Sequence, residues 1–500
     1  MESRSNMKRL FFSFLWVCLV SGNVLHGQES DVPFSTDTTG QGATYQTLSL
    51  EDFVRVILAN HPIIKQADLL SENALQEVRL AKGAFDPKLA ASWDRKNFQE
   101  KEYYNIFNAA MTVPTWFPID PKLSLDRNRG VFLNPENSIP EGDDFRQVTL
   151  GVSLPIGRGL FIDGRRAAVK QARIFVEMTE AERLEMINKT LLESLKTFWD
   201  WHLAYGQLQL VEQSLALSED IYERIRLDFK FGEAAVIDTV QAAITFQNRA
   251  TDYQSAQIDF RRASLQLSNF LWGINEEPIE LRPDVIPDLS LTGPQVMDLQ
   301  TLLEEAISIH PKLQQLSLKI DRLAVAEQLA RENLKPRVDL NYNVINAPIS
   351  PEGAFTSIDL SNDFKFGIAF EFPLFLRKER AKLKQTRIKI ADTGYENLVT
   401  QQQILNAIEA NYFELTNGRT MVDLLGQTAA NYQRLLDAEL LNLELGESDL
   451  FRINFQQDKL LEAQLKLLKQ QIMLEKSKLE LYWAAGRPYL SFADLIPEQN

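Results

Sequence analysis

The sequence predicts a mostly α-helical chain with a small β portion, written twice from one plan. Three observations lead there: two long proline-free stretches, a tandem repeat at constant offsets, and short runs with apolar residues at every second position. The 45% apolar content suffices for a sizeable core. The formal net charge is −15 with both signs mixed along the chain. That argues against nucleic acid as a partner, because binding to a phosphate backbone is carried by clustered Lys and Arg.

The first segment has the parts of a secretory signal: Lys8 and Arg9, an apolar stretch from Leu10 to Val20, then Gly22 and Gly27. Residues 1–27 are therefore expected to be removed at one of those glycines. Lipid attachment at Cys18 is the alternative, but bulky Trp16 and Val17 before it fit that reaction badly. Without this segment no cysteine remains, so an exported chain must be held by packing alone. No other stretch reaches the roughly 20 apolar residues of a membrane-spanning helix, so any membrane contact must use strands.

Residues 50–94 match 299–343 at an offset of 249, for example His61-Pro62 with His310-Pro311 and Trp93 with Tyr342. An offset of 214 then pairs Arg166-Ala167 with Arg380-Ala381 and Gly232-Glu233 with Gly446-Glu447. The organisation read from this is an N-terminal linker at 28–46, a first repeat at 47–273, an inter-repeat linker at 274–297, a second repeat at 298–486 and a tail at 487–500. The offsets differ by 35 residues, most of them between about 99 and 144, and a stretch that one copy lengthens so far reads as a surface loop.

Within each copy a helical segment (about 50–82 or 299–334) leads into two short strands. The strands fall at about 87–98 and 145–155, then at 337–346 and 362–373. Long helices follow at 166–231 and 380–445, each roughly 100 Å at 1.5 Å per residue. After Gly232 or Gly446 a helix returns, at 233–272 or 447–485. In the second copy it carries a seam of Leu461, Leu465, Leu468, Ile472, Leu479 and Tyr482, interrupted by Glu475. The starting and returning segments together match the length of one long helix, so they are expected to stack along it.

The strand "NDFKFGIAFEFP" sets Phe366, Ile368 and Phe370 against Lys365, Gly367, Ala369 and Glu371. "RVDLNYNV" sets Val338, Leu340 and Tyr342 against Asp339, Asn341 and Asn343, and "QVTLGVSLP" alternates likewise. One apolar edge and one polar edge fit a lipid-facing strand with a wet lumen behind it. Trp93, Tyr342, Phe364 and Phe372 are expected at the lipid–water boundaries. An unpaired strand edge cannot be hydrated in lipid, so four strands per chain must close into a barrel by oligomerising, with two, three or four copies.

The duplicated order of helix, hairpin and long helix, with the tip motifs "DFKFGEAAVIDTVQAA" at 228–243 and "LELGESDLFRINFQQ" at 443–457, resembles the TolC-type outer-membrane efflux proteins. The resemblance spans nearly all of the chain past the signal. It implies a homotrimer in a Gram-negative-type outer membrane, twelve strands forming the barrel and the helices continuing it as a periplasmic coiled-coil tunnel. It also implies docking on a periplasmic adaptor and an inner-membrane pump, through tips at Phe231, Gly232 and Glu233 and at Leu445, Gly446 and Glu447. Asp238 matches an aspartate of the family's first tip and, with Asp449, is expected at the periplasmic entrance. The family's gate aspartates in the second tip are replaced by Arg452 and Phe455.

No catalytic signature, cofactor or metal is expected. "GRGLFIDGRR" lacks the Lys-Ser/Thr pair of a phosphate loop and reads as a turn. His61 and His310 are expected to shape turns ahead of their prolines. The reading is a passive export duct. A polypeptide exit tunnel on the same framework, or a pore-less periplasmic coiled-coil adaptor, are the rivals.

Overall fold

The computed structural model describes residues 35–36, 46–133, 145–288, 297–346 and 363–487. The expected signal segment with Cys18, and the tail after 487, lie outside the described residues. In the first copy the order is β1 (Ser35–Thr36), β2 (Gln46–Leu48), α1 (Leu50–Asn60), α2 (Pro62–Lys82), β3 (Lys88–Phe98), β4 (Lys101–Thr112), β5 (Asp120–Arg129), β6 (Phe145–Pro155), α3 (Gly164–Phe231) and α4 (Val236–Ser268). After β7 (Val285–Pro287) come α5 (Leu299–Ile309), α6 (Pro311–Glu332), β8 (Arg337–Asn346), β9 (Phe364–Glu371), α7 (Arg377–Glu444) and α8 (Leu450–Ala484).

The opening helical segment of each copy is two helices, broken at its proline. Pro62 has no N–H to continue α1, and it occupies the first turn of α2, where none is needed. His61 caps that turn by accepting the Ile63 N–H at Nδ1 (3.2 Å), and His310 does the same for the Lys312 N–H (3.1 Å). α3 and α7 are 68 residues each, which gives roughly 100 Å.

Packing sets the helices side by side in four columns. α2 and α4 stack along one flank of α3, α6 and α8 along its other flank, and α7 lies beyond these. Phe53, Val54 and Ile57 of α1 pack on Phe198 and Trp201 of α3, Leu267 of α4 and Leu479 of α8. The Trp201 indole N–H is satisfied inside that core by Ser264 Oγ at 3.0 Å. Burying a ring of this size contributes only because its polar edge is bonded too. In the α8 seam Leu461, Ile472, Leu479 and Tyr482 are buried, and Glu475 is tolerated there beside Lys478 Nζ at 2.6 Å. A small sheet, β1–β2–β7, ties the N-terminal stretch to the inter-repeat segment through the parallel register of Gln46 with Val285 to Leu48 with Pro287.

The second sheet corrects the expectation of four strands. It has six, in the order β3–β4–β5–β6–β8–β9, all antiparallel. The surplus of the first copy is not a surface loop: between 101 and 129 it holds the β4–β5 hairpin. Its backbone groups are paired on both sides, which is how an insertion next to a sheet satisfies its donors and acceptors without water.

His61 and His202 are buried and His310 half-buried, and that burial holds all three below the ordinary imidazole value. The unfolded chain takes up protons near pH 6.5 while the folded one resists, so stability is complete above that pH and falls as pH drops below it. The helical melting temperature should therefore be level above about pH 7 and decline below about pH 6.5. His61→Asn with His310→Asn, which keeps a capping acceptor, should flatten the slope; an unchanged slope would remove these caps from the cause.

Candidate functional site: a one-sided sheet and two helical tips

Strand pairing aligns like with like across all six strands. One row reads Leu89, Met111, Leu123, Leu150, Val344, Phe364, each directly opposite the next. The neighbouring row, on the other face, reads Lys88, Thr112, Lys122, Gly151, Asn343, Lys365. On the apolar face Val338 lies opposite Phe370, Leu340 opposite Ile368 and Tyr342 opposite Phe366. These six are the residues that alternation singles out. Phe366, Ile368 and Phe370 are 53%, 62% and 69% exposed, so among the described residues nothing covers β9 on this face, whereas Val344 of β8 is buried. Tyr342 and Phe364 stack with ring centroids 5.7 Å apart.

The apolar face ends at a polar margin, on the side of the sheet away from the helices. Arg95, Asn105, Arg127 and Arg129 occupy its last rows, with Glu102 bonded to Arg95 at 3.1 Å and Arg129 at 3.4 Å. Trp93 Nε1–H donates to Asn105 Oδ1 at 2.7 Å. Trp93, Phe107 and Leu125 join Asn105, Arg127 and Arg129 around a hollow of about 560 Å³. Sequence reading assigned this margin to a loop, except for Trp93 and Arg95, which fall in the strand expected at about 87–98.

At the helical side of the sheet, the β4–β5 turn is fastened where α2 ends and α3 begins. Arg165, in the first turn of α3, reaches Asp120 at 3.0 Å and Asp163 at 3.2 Å. Its guanidinium lies over the Phe85 ring (5.4 Å), and Phe85 meets Trp116 of the turn at 5.5 Å. Thr115 closes the turn, its N–H donating to Asp120 Oδ1 at 3.1 Å.

At the opposite end of the helices both tips have the same construction. Gly232 and Gly446 take φ of +83° and +74°, in the left-handed region that glycine enters without steric cost. The Gly232 N–H bonds the Phe229 carbonyl (3.0 Å) and the Glu233 N–H that of Asp228 (2.9 Å); Gly446 and Glu447 bond Leu443 and Asn442 at 3.1 and 2.8 Å. This double bond pattern satisfies the last carbonyls of each long helix and turns the chain back. Ile221, Ile225, Ala242, Leu436, Leu450, Ile453 and Leu460 form a buried cluster joining the two tips. Outside it Phe231 and Leu445 are exposed, together with Phe455 and with Val236, Ile237 and Phe451, the last three of which the sequence reading did not single out as tip residues. They are the apolar positions left over once packing has fixed the buried side of α4 and α8.

The two acidic residues expected at the entrance sit at the starts of the returning helices. Asp449 is the N-cap of α8 and accepts the Arg452 N–H at 2.9 Å; Asp238 accepts the Ala235 N–H at 3.2 Å. Each carboxylate thus offsets unpaired donors at a helix N-terminus. Glu233 and Glu447 are exposed beside them. Among the described residues no group of three potential metal ligands converges, and no helix is long and apolar enough to cross a membrane.

The chain matches the family described as outer membrane efflux protein over residues 54–271 and 302–487. Among curated proteins none matches. Solved structures share the fold at low identity. The Campylobacter jejuni CmeC outer membrane channel is 14% identical at a TM-score of 0.60, with 87% of this chain and 85% of that one covered. The Vibrio cholerae outer membrane protein VceC is 16% identical at a TM-score of 0.61, covering 88% and 96%. The open state of the Neisseria gonorrhoeae MtrE outer membrane channel is 14% identical at a TM-score of 0.60, covering 93% and 98%.

Proposed function

The chain belongs to the outer membrane efflux protein family, and from that premise we propose that it is the passive exit duct of a tripartite export system in a Gram-negative-type outer membrane. Three copies close one barrel and one tunnel, and the tips dock on a periplasmic adaptor that leads to an inner-membrane pump. The observation that carries this reading is that the protomer is open along both sides, in both layers. β3 and β9 are edge strands of the six-stranded sheet, and lipid supplies nothing to pair with their backbone. Beneath them, α4 leaves Ile237, Ile244, Ile258 and Leu265 exposed in one heptad register, and α7 leaves Ile388, Tyr395, Leu398 and Phe413 exposed on the far flank. A second copy, rotated about the pore axis, brings a β9 edge to a β3 edge and an α7 flank to an α2–α4 flank. Three is the number that the family resemblance implies. The twelve strands expected from sequence then become eighteen, because each copy brings six. A pore-less adaptor leaves the one-sided sheet without purpose.

The energy for transport belongs to the pump; this chain supplies the wet path, lined by the polar row that includes Lys122, Asn343 and Lys365. Extracted in detergent, the protein should run at three times its chain mass and insert into planar bilayers as conducting steps. A monomer soluble without detergent would sink the reading. Ile368→Arg, on the apolar face, should cost roughly 2–4 kcal/mol and impair membrane assembly. Gly367→Arg, on the polar face with nothing within 4 Å of the added Cβ, should assemble and alter conductance instead. Equal assembly of both variants would mean the two faces are misassigned.

At the tips, Phe231 and Leu445 project beside the glycine turns and are read as adaptor contacts, with Gly232, Glu233, Gly446 and Glu447 framing them. Phe231→Asp with Leu445→Asp should leave trimers and conductance intact while abolishing export and cross-linking to the adaptor. Retained cross-linking would place the docking surface elsewhere.

In a trimer Asp238 and Asp449 recur around the entrance, where a ring of carboxylates favours cations. Asp238→Asn keeps the acceptor for the Ala235 N–H and removes the charge. Its reversal potential in a salt gradient should shift toward lower cation selectivity; no shift would leave Asp238 as a helix cap only.

A further inference from the structure

The strands follow the lateral order of the helices they join. β3 continues from α2, β6 runs into α3, β8 continues from α6 and β9 runs into α7. In the sheet β6, β8 and β9 are immediate neighbours, as α3, α6 and α7 are below. The exception is the first pair. α2 and α3 touch, yet β3 and β6 are separated by β4 and β5, which lead to no helix.

The hairpin is part of the wall. β4 pairs with β3 from Lys88–Thr112 to Phe98–Lys101, and β5 pairs with β6 from Asp120–Ser153 to Asn128–Phe145. Both faces continue through it: Met111 and Leu123 extend the apolar row, and Thr112 and Lys122 the polar one. Asn108 and Asp126 hydrogen-bond across the polar face of β4 and β5. At the helical end its turn is held by Arg165, Asp120, Phe85 and Trp116, in the gap that two extra strands open above α2 and α3.

The widths of the two layers give this a consequence. Strands about 4.8 Å apart, tilted by about 40°, each occupy roughly 6 Å of circumference. Helical columns occupy about 8–10 Å each. Four columns therefore span roughly 32–40 Å per protomer, which six strands at about 38 Å match and four strands at about 25 Å do not. We propose that the β4–β5 hairpin sets the bore of the exit: it widens the barrel to the circumference of the helical ring, so the duct does not narrow where it enters the membrane. This rests on the trimeric-duct reading and specifies its cargo limit. Solutes of a cross-section that the helical tunnel admits then leave without a constriction at the barrel.

The test compares the full chain with a variant in which residues 99–144 are replaced by a four-residue turn. β3 and β6 run in opposite directions, and Lys88 and Gly151 share one row and one face, so direct pairing keeps every side chain on its side. Polyethylene glycols of graded size are added from the extracellular side of single trimers in planar bilayers, and the size that no longer enters the mouth is read from conductance. The exclusion diameter of the variant should fall to about two-thirds of that of the full chain, in proportion to strand number. Equal exclusion diameters in two trimeric channels overturn the proposal. A cross-section of the full-length trimer by electron cryo-microscopy decides it independently of whether the variant assembles. Eighteen strands are expected, and twelve with the hairpin folded aside would overturn it. Either negative leaves a trimeric conducting duct standing, whereas a soluble monomer removes that reading itself.

Discussion

The organisation of this protein depends on one constraint: in lipid, a backbone N–H or C=O has no partner other than another backbone. A sheet with one apolar face running across six strands, and whose two outer strands have no further neighbour among the described residues, is therefore an incomplete object. It becomes complete only as a segment of a ring. The helices obey a weaker version of the same rule, since their flanks expose apolar stripes rather than unbonded backbone, and hydrophobic burial between copies covers them at roughly 25 cal/mol per Å². Closing the ring of strands and closing the ring of helices are one operation, because every strand attached to a helix keeps that helix's place in the lateral order.

Much of this was legible in the sequence, for physical reasons that differ by element. The long helices were readable because 68 residues without proline, repeated at a constant offset, allow little else. The tips were readable because a helix of that length must reverse somewhere, and Gly232 and Gly446 are where the left-handed turn is cheapest. β6, β8 and β9 were readable because they alternate cleanly, apolar residues on one face of the sheet and polar or small ones on the other. The same logic explains the strands that were missed. On β5 the outward positions run Pro121, Leu123, Leu125, Arg127, Arg129, so only two of the five are aliphatic. On β4 the opposing positions Asn105, Phe107, Ala109 and Met111 are matched by Tyr104, Ile106, Asn108 and Ala110 behind them, and neither face stands out. Both strands reach the polar margin of the sheet, where Arg127 and Arg129 share a face with Leu123 and Leu125 and alternation loses its contrast. Pro114 and Pro118, which shape the turn between them, strengthened the appearance of a loop.

At the tips, residue type was legible but the local task was not. Asp238 and Asp449 stood out as acidic, and the structure gives both a conformational role at a helix N-terminus that any such protein needs, whatever passes the entrance. A charge ring and a set of caps are compatible uses of the same carboxylates, because each cap engages only one oxygen with a backbone N–H. Phe451, Val236 and Ile237 were overlooked for the opposite reason. On an amphipathic helix an apolar residue is assigned to the core by default, and only the packed structure tells which stripe is left uncovered.

The inserted hairpin also shows which changes this architecture admits. A strand added alone to one copy would deliver the chain to the wrong side of the membrane and invert the direction of the long helix that follows. Two strands return it to the same side, so α3 begins where it would have begun without them, and the other three strand–helix junctions are untouched. Register sets a second condition: the insertion must carry an apolar and a polar face in phase with its neighbours, as Leu123 between Met111 and Leu150 does, because a slip of one residue would turn the whole strand over. Fastening the turn to the helix start through Arg165 and Asp120 satisfies a third, that the new turn at the helical end of the sheet be held in place. Under these conditions the circumference of the barrel changes only in whole hairpins per protomer, so a trimer steps by six strands at a time, and pore width follows from the length of one inter-strand segment rather than from redesign of the helices.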